Sequence, residues 1–405
     1  MNAPSLADAP WFTAAPLRRV LGALDGAGEE TRIVGGAVRN ALLGRPVSEV
    51  DLATTGVPEE TMRRARAAGL KAVPTGLSHG TVTVVADGTP FEVTTLREDI
   101  ETDGRHALVR FGRDWRADAA RRDFTMNALY ADAQGRVIDL VDGLADLRAG
   151  RVRFIGDAET RIREDHLRIM RLFRFHAAYG RGPMDAAALT AAIRLRAGIL
   201  RLSRERVGSE LLKLLVVQGA APTVRLMGET GFLPTILGGV PDLTSFERLA
   251  ALDADLGLPP DAVRRLGVLA VRILEDAARL RARLRLSNAA FQRLQGMAGA
   301  SGAAMDARQA RAAIYRHGRA AFEDRLLVGA ARGAGGVEAV AALLDLARAW
   351  AVPAAPFSAA DLIAKGFTPG PALGAALARM EEAWIAADFP TDAGRLRALA
   401  ALAQP

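Results

Sequence analysis

Residues Val34-Gly-Gly-Ala-Val-Arg-Asn40 and, close behind them, Glu49-Val-Asp51 have the types and spacing that phosphoryl chemistry requires. A glycine pair ahead of the helical stretch Ala37–Leu43 lets backbone N–H groups approach an anion. The start of that helix adds positive potential, and Arg39 on its first turn can clamp a phosphate oxygen. Gly35 and Gly36 alone read equally well as an ordinary strand-to-helix turn; the carboxylates that follow decide the matter. Glu49 and Asp51 flank Val50, so on a strand their side chains share one face. Glu92, between Phe91 and Val93 on a second predicted strand, adds a third carboxylate. Three acids on adjacent strands can hold two Mg²⁺ ions, one activating an attacking hydroxyl and one neutralising a leaving pyrophosphate. The set points to phosphoryl or nucleotidyl transfer.

Two arginine-rich segments extend this chemistry. In Arg121-Arg122-Asp123-Phe-Thr-Met-Asn127 the arginines can hold a triphosphate, while Asp123 and Asn127 can bond ribose hydroxyls or cap a helix. Judged alone, the segment reads equally as a capped helix with a solvated basic flank. In Glu164–Phe175, Arg168, Arg171 and Arg174 recur every third residue and form a ridge on one helix face. Asp165 precedes Arg168 by one turn, so the two together offer the acceptors and donors that a nucleobase edge requires. The alternative is an intrahelical ion pair with a basic surface stripe.

The elements that must position these residues follow from pattern. One lead-in helix carries Leu17, Val20, Leu21 and Leu24 at helical spacing. Short β-rich runs, Thr31–Val34, Val50–Thr54, Thr81–Ala86, Phe91–Leu96 and Arg136–Leu140, alternate with helical patterns such as Glu59–Gly69. Asp87-Gly88 is a hairpin signal. From Asp157 onward Ala, Leu and Arg dominate at three- and four-residue spacing, which predicts an all-helical region. The fold class is therefore α+β, a small mixed sheet followed by helices.

Composition narrows the classes further. The 405-residue chain has no cysteine, which excludes disulfides and thiolate chemistry. Its net charge of +7 favours a polyanionic partner, though nearly all the positive charge is arginine, as a GC-rich genome would also write it. No apolar run is long enough to span a bilayer and the N-terminus lacks a signal-peptide pattern, so a cytoplasmic protein with no membrane partner is expected. There is no P-loop and no Gly-x-Gly-x-x-Gly fingerprint. No histidine is followed by aspartate, and none of the five histidines has ligand spacing.

Six motifs in order, from Val34-Gly-Gly-Ala-Val-Arg39 through Glu49–Thr54, Phe91–Arg97, Arg121–Ala128 and Glu164–Arg168 to Glu205–Leu211, resemble the class II tRNA nucleotidyltransferases (CCA-adding enzymes) and bacterial poly(A) polymerases. The resemblance covers roughly residues 31–215. It implies a polymerase-β-like nucleotidyltransferase head over residues 1–150, a helical neck over 151–215 that recognises the nucleobase, and a helical body and tail over 216–405 that hold tRNA. It makes Glu49 and Asp51 the metal ligands, with Glu92 as third acid. Gly35, Gly36, Arg39, Arg122 and Asp123 fall to nucleotide binding, Asp165 and Arg168 to reading CTP or ATP, and Arg171 and Arg174 to the triphosphate. The implied reaction is template-independent addition of C, C and A to the 3′ end of tRNA, with two Mg²⁺ ions. Poly(A) polymerase, a CC-only enzyme and a catalytically impaired RNA-binding homologue are the alternatives. The loop that switches addition from C to A would be Glu98–Asp114, and its presence argues against the CC-only form. Two positions depart from the family pattern: Glu49 and Asn40 stand where Asp is usual.

Overall fold

Asp87 and Gly88 have φ of +50° and +80°, the pair of left-handed conformations that closes a two-residue hairpin. They join β4 (Thr81–Ala86) to β5 (Thr89–Thr95), two neighbouring strands of the site-bearing sheet. The computed structural model describes residues 4–103, 106–300, 305–333, 335–364 and 366–401, without the side chains of 98–109 and 400. The chain divides into two units between Phe232 and Leu233.

In the first unit α1 (Pro10–Thr13) and α2 (Ala15–Leu24) precede β1 (Thr31–Val34). The four apolar residues expected to face inward from α2, Leu17, Val20, Leu21 and Leu24, are all buried. Next come α3 (Gly36–Leu42), β2 (Asp51–Thr54), α4 (Pro58–Ala67) and β3 (Lys71–Gly76), then β4 and β5. The hairpin β6 (Arg97–Asp103) and β7 (His106–Phe111), α5 (Trp115–Ala120), β8 (Leu129–Ala131), β9 (Val137–Asp139) and α6 (Gly143–Ala149) complete the α/β part. Helices α7 (Ala158–Glu164), α8 (Leu167–Tyr179), α9 (Ala186–Arg194), α10 (Arg204–Leu215) and α11 (Ala220–Glu229) follow.

The sheet runs β3-β4-β5-β2-β1-β8-β9. Only β2 and β5 are parallel, with Leu52 opposite Val93 and Ala53 opposite Thr94. That register carries Asp51 and Glu92 to one face. Thr94 lies on the same face, opposite Thr81 of β4. Further along, that face is closed by an apolar cluster of Val34, Ala53, Leu96, Ala119, Ala128 and Tyr130.

Three differences from the sequence reading have local causes. The β2 strand begins at Asp51, so Glu49 lies in the segment leading into it rather than on it. Its partner β1 ends opposite Asp51 at Val34 and turns into α3, leaving Glu49 no partner strand. Lys71–Gly76 is a strand despite Pro74, because it is the sheet's edge and its pairing is irregular between Val73 and Gly76. The polar stretch Glu98–Asp114, expected as a loop, has the backbone of a two-stranded hairpin over most of its length; the side chains of 98–109 lie outside the described residues.

The second unit begins within α12 (Phe232–Leu237). It continues through α13 (Leu243–Asp255), α14 (Ala262–Ala270), α15 (Leu274–Leu284), α16 (Asn288–Met297), α17 (Ala307–His317), α18 (Arg319–Ala331) and α19 (Val337–Ala349) to α20 (Ala359–Ile363), α21 (Pro371–Ala386) and α22 (Ala393–Ala400). Buried Asp324 on α18 accepts from Arg264 of α14 at 2.9 Å and Arg293 of α16 at 2.8 Å, tying three helices. After β9 the described residues contain no named strand, as the spacing of Ala, Leu and Arg predicts.

Glycines separate close packing from open surface. A Cβ on Gly143 would fall 2.3 Å from the Thr125 carbonyl oxygen, whereas one on Gly22, within α2, would meet nothing. Gly143→Ala is expected to destabilise the first unit by about 1–3 kcal/mol. Gly22→Ala should stabilise it by about 0.5–1 kcal/mol through helix propensity. Calorimetry of the full chain checks both; an unmoved transition in Gly143→Ala would show that the backbone there yields freely.

Candidate active site

One cavity of about 800 Å³ in the first unit gathers most of the chemically suited residues. Gly35, Gly36, Arg39, Glu49, Asp51, Glu92, Arg122, Asp123, Asp165, Arg168 and Arg171 line it. Arg174 does not. It points instead to α10, where its Nε donates to Glu210 at 2.6 Å, and its guanidinium stacks 4.6 Å from the Phe175 ring centre.

The glycine turn follows from β1 running out. Gly35 has φ of +72°, a conformation that an L side chain adopts only under strain, and its N–H is donated to Leu129. Gly36 then opens α3. Arg39 on that helix is buried, and most of its donors are engaged. They reach Asn127 Oδ1 at 2.5 Å, Asn40 Oδ1 at 3.0 Å and the Tyr179 hydroxyl at 2.8 Å. Its guanidinium also lies 4.2 Å from the Tyr179 ring centre. Arg39 is thus a brace between the turn, the Asn127 segment and the end of α8, where the sequence suggested a phosphate clamp. Asn40, the position at which Asp is usual, serves the same brace by accepting from both Arg39 and Tyr179. Two cations lie near the turn: Arg39, whose Nη2 would lie 3.7 Å from a Cβ placed on Gly36, and Arg122, whose Nη1 would lie 4.0 Å from one placed on Gly35.

Arg122 is aimed by a residue that sequence reading missed. Asp118 on α5 is buried and accepts from Arg121 at 2.5 Å, Arg122 at 3.0 Å and the Tyr130 hydroxyl at 2.8 Å. Burial pushes the Asp118 carboxyl up, but the charges of Arg122 and Arg121 and the Tyr130 O–H outweigh it and hold the pKa below the usual range. Burial and the Asp118 charge push the Tyr130 phenol up. The signal was present as two arginines three and four residues after an aspartate. Asp123 is spent in a similar way: Arg171 donates to it at 2.7 Å, the Asn127 amide at 2.9 Å and its neighbour's N–H at 2.8 Å.

The expected Asp165–Arg168 pair on one helix face is not formed. The helix breaks at Asp165, whose φ and ψ of −152° and 106° are extended, and restarts at Leu167. Asp165 accepts the Leu167 N–H at 3.0 Å and pairs with Arg206 at 2.6 Å. Arg168 pairs with Glu164 and donates to the Arg161 carbonyl at 2.8 Å. Both still line the cavity, but each is oriented by a different partner. The break gives the first N–H of α8, that of Leu167, an Asp side-chain acceptor, a requirement that i, i+3 spacing does not reveal.

The three carboxylates act on one another. Desolvation raises the Asp51 pKa, the charges of Glu92 and then Glu49 raise it further, and Arg122 opposes them. Asp51 is exposed at the cavity wall. Carboxylates crowded so that one resists ionisation suit a divalent cation, whose charge removes the repulsion. Among the described residues, no three His, Asp or Glu side chains converge as a ready-made metal cage. The fit therefore rests on oxygen ligands from Glu49 and Asp51, completed by substrate or water, as suits Mg²⁺. Among the described residues, no helix is long and apolar enough to cross a membrane.

The sheet, glycine turn and carboxylates have the architecture of a nucleotidyltransferase head. A family model described as the poly A polymerase head domain matches residues 31–153, and one described as a probable RNA and SrmB-binding site of polymerase A matches residues 184–246. The chain is 38% identical over 265 residues to the mitochondrial CCA tRNA nucleotidyltransferase 1 of Mus musculus, covering 64% of this chain and 60% of that one. It is 40% identical over 225 residues to the CCA-adding enzyme of Leuconostoc citreum, covering 55% and 54%. The solved structure of the Bacillus stearothermophilus CCA-adding enzyme in complex with CTP superposes with a TM-score of 0.75 at 27% identity, over 95% of this chain and 96% of that one. Over residues 31–153 and 184–246 the chain therefore carries the two domains that these family models describe. It spans about 60% of the length of the mouse relative and about half that of the Leuconostoc one.

Asp118 gives the site a measurable dependence on pH. Its folded pKa is depressed, so the stability it contributes is present above its unfolded value near 4 and is lost as pH falls through the folded value. Asp118→Ala should cost about 3 kcal/mol at pH 7 by stranding two arginines. It should also flatten the acid limb of the stability curve. Denaturant titrations between pH 3 and 7 check this, and an unchanged acid limb would remove Asp118 from the account.

Proposed function

We propose that this protein adds C, C and A to the 3′ end of tRNA from CTP and ATP, without a template. The observation that carries this reading is the single cavity in which a glycine turn, three mutually repelling carboxylates and an Asp–Arg-bearing wall meet. Support comes from relatives named for CCA addition and from the fold of the CTP-bound enzyme.

Glu49 and Asp51 would hold two Mg²⁺ ions, which when bound activate the attacking hydroxyl and neutralise the departing pyrophosphate. The chain's own groups do the rest. The Gly35–Gly36 turn and Arg122 receive the triphosphate. Asp118 keeps Arg122 aimed, and the Arg39 brace fixes the turn against α8. Asp165 and Arg168 face the base. C and A both present an exocyclic amino donor beside a ring-nitrogen acceptor, whereas G and U present a carbonyl beside a ring N–H. Acceptors on Asp165 and donors on Arg168 therefore take the first pattern and leave buried groups unpaired with the second. The 3′ oxygen of the RNA bonds to the α-phosphorus, the bond to the β-phosphate breaks, and the hydroxyl proton passes to Glu92 and on to water. A head over 1–150 and a neck over 151–215 perform this chemistry, and the helical body and tail over 216–405 bind tRNA. That binding is electrostatic, so affinity falls steeply with salt.

Incubation with tRNA lacking its 3′ end, CTP, ATP and Mg²⁺ tests the reading: two C and one A are expected, and long A tails would assign poly(A) synthesis instead. Asp51→Asn should lower the rate at least about 100-fold, because removing a metal ligand removes transition-state charge stabilisation. Glu49→Asp should retain substantial activity. Near wild-type addition by Asp51→Asn would disprove the metal assignment. Asp165→Ala should relax selection against GTP and UTP more than it slows CTP incorporation, as four separate single-nucleotide assays would show. Unchanged selection would leave Asp165 as a structural partner of Arg206.

A further inference from the structure

The cavity has a second wall that the nucleotide-binding residues do not use. His79, Thr81, Thr94 and Arg97 line it together with Glu92. Across the sheet the strands run β1-β2-β5-β4, so the glycine turn at the end of β1 and this wall on β5 and β4 lie on opposite sides of Asp51. In-line displacement at phosphorus places the attacking and leaving oxygens on opposite sides of the reacting atom. With the pyrophosphate leaving toward Gly35 and Arg122, the attacking hydroxyl must arrive over β5 and β4.

The wall is suited to a sugar. Thr81 and Thr94 are a cross-strand pair whose hydroxyls are bonded to each other at 3.1 Å, half-buried on the sheet face. Two hydroxyls carry two donors, and the bond between them uses one. The other donor and the remaining lone pairs can serve a cis-diol. The adjoining turn is fixed. Arg97 Nη1 donates to the His79 carbonyl at 2.8 Å, Gly80 has φ of +78°, and the Phe111 ring fills the space where a Cβ would lie 2.7 Å away. The backbone of the turn is therefore fixed, and His79 lines the same cavity as the threonine pair.

We propose that Thr81 and Thr94, in the cavity that His79 also lines, form the subsite for the 3′-terminal ribose of the RNA acceptor and read its 2′-hydroxyl. The proposal rests on the nucleotidyl-transfer reading above. The 2′-hydroxyl is the group by which a protein tells RNA from DNA at a given site, and a paired threonine can both donate to it and accept from it.

The test uses the full chain with CTP, Mg²⁺ and RNA minihelices that end in either a ribose or a 2′-deoxyribose. Wild type should extend the deoxy-terminated acceptor about 5- to 10-fold more slowly, the effect of one net hydrogen bond. In Thr81→Val/Thr94→Val this ratio should collapse toward 1, while CTP binding measured without RNA stays unchanged. Thr94→Ser keeps a hydroxyl and should keep the ratio. Thr81→Val alone, a smaller change confined to β4, should lower the ratio if the double variant folds poorly. A wild-type ratio near 1 would overturn the subsite, as would an unchanged ratio in the valine variants. So would a loss of discrimination between CTP and 2′-deoxy-CTP instead, which would assign the threonines to the incoming nucleotide. Absence of any addition by wild type would overturn the nucleotidyl-transfer reading, and this subsite with it.

Discussion

Repulsion of Asp51 by Glu92 and Glu49 is the constraint on which the carboxylate wall of the cavity depends. Like charges crowded at a cavity wall cost free energy unless something fixed keeps them there and something mobile neutralises them. The fixed part is the sheet. Parallel pairing of β2 with β5 carries Asp51 and Glu92 to one face, and the early end of β1 leaves room for the glycine turn beside them. The mobile part is the divalent cation and triphosphate that the charge pattern suits.

The arginines around the cavity are held rather than loose. Asp118 orients Arg121 and Arg122, Asp123 orients Arg171, Glu164 orients Arg168, and Asn127, Asn40 and Tyr179 immobilise Arg39. A guanidinium with some N–H groups committed to a partner loses less side-chain freedom when the remaining ones meet a phosphate. That preorganisation accounts for the many acids in a cavity for which a triphosphate ligand is proposed. Each acid offsets the charge of an arginine locally while fixing its direction.

Much of this was legible in the sequence, and the misses share a cause. The Asp87-Gly88 hairpin, the inward face of α2, the strands bearing Asp51 and Glu92 and the all-helical second half follow from local patterns of period 2 and 3.6 and from turn chemistry. The pairing of Arg168 with Glu164 and the break at Asp165 were not legible, because helix capping competes with helix continuation and spacing alone cannot rank them. The bonds from Arg39 to Asn127 and Tyr179 were not legible either, because nothing local places those residues against it; the contacts span 88 and 140 residues. Glu49 fell outside β2 because strand length is set by the partner strand, not by its own alternation.

The most direct test of the central claim is titration of the whole chain with Mn²⁺, followed by electron paramagnetic resonance in the presence of a non-hydrolysable CTP analogue. Saturable binding in wild type that is lost in Asp51→Asn and weakened in Glu92→Gln is the predicted result, since both changes remove charge from the repelling set. Equal Mn²⁺ affinity in all three proteins would contradict the account, because the carboxylates would then not be the cation's seat.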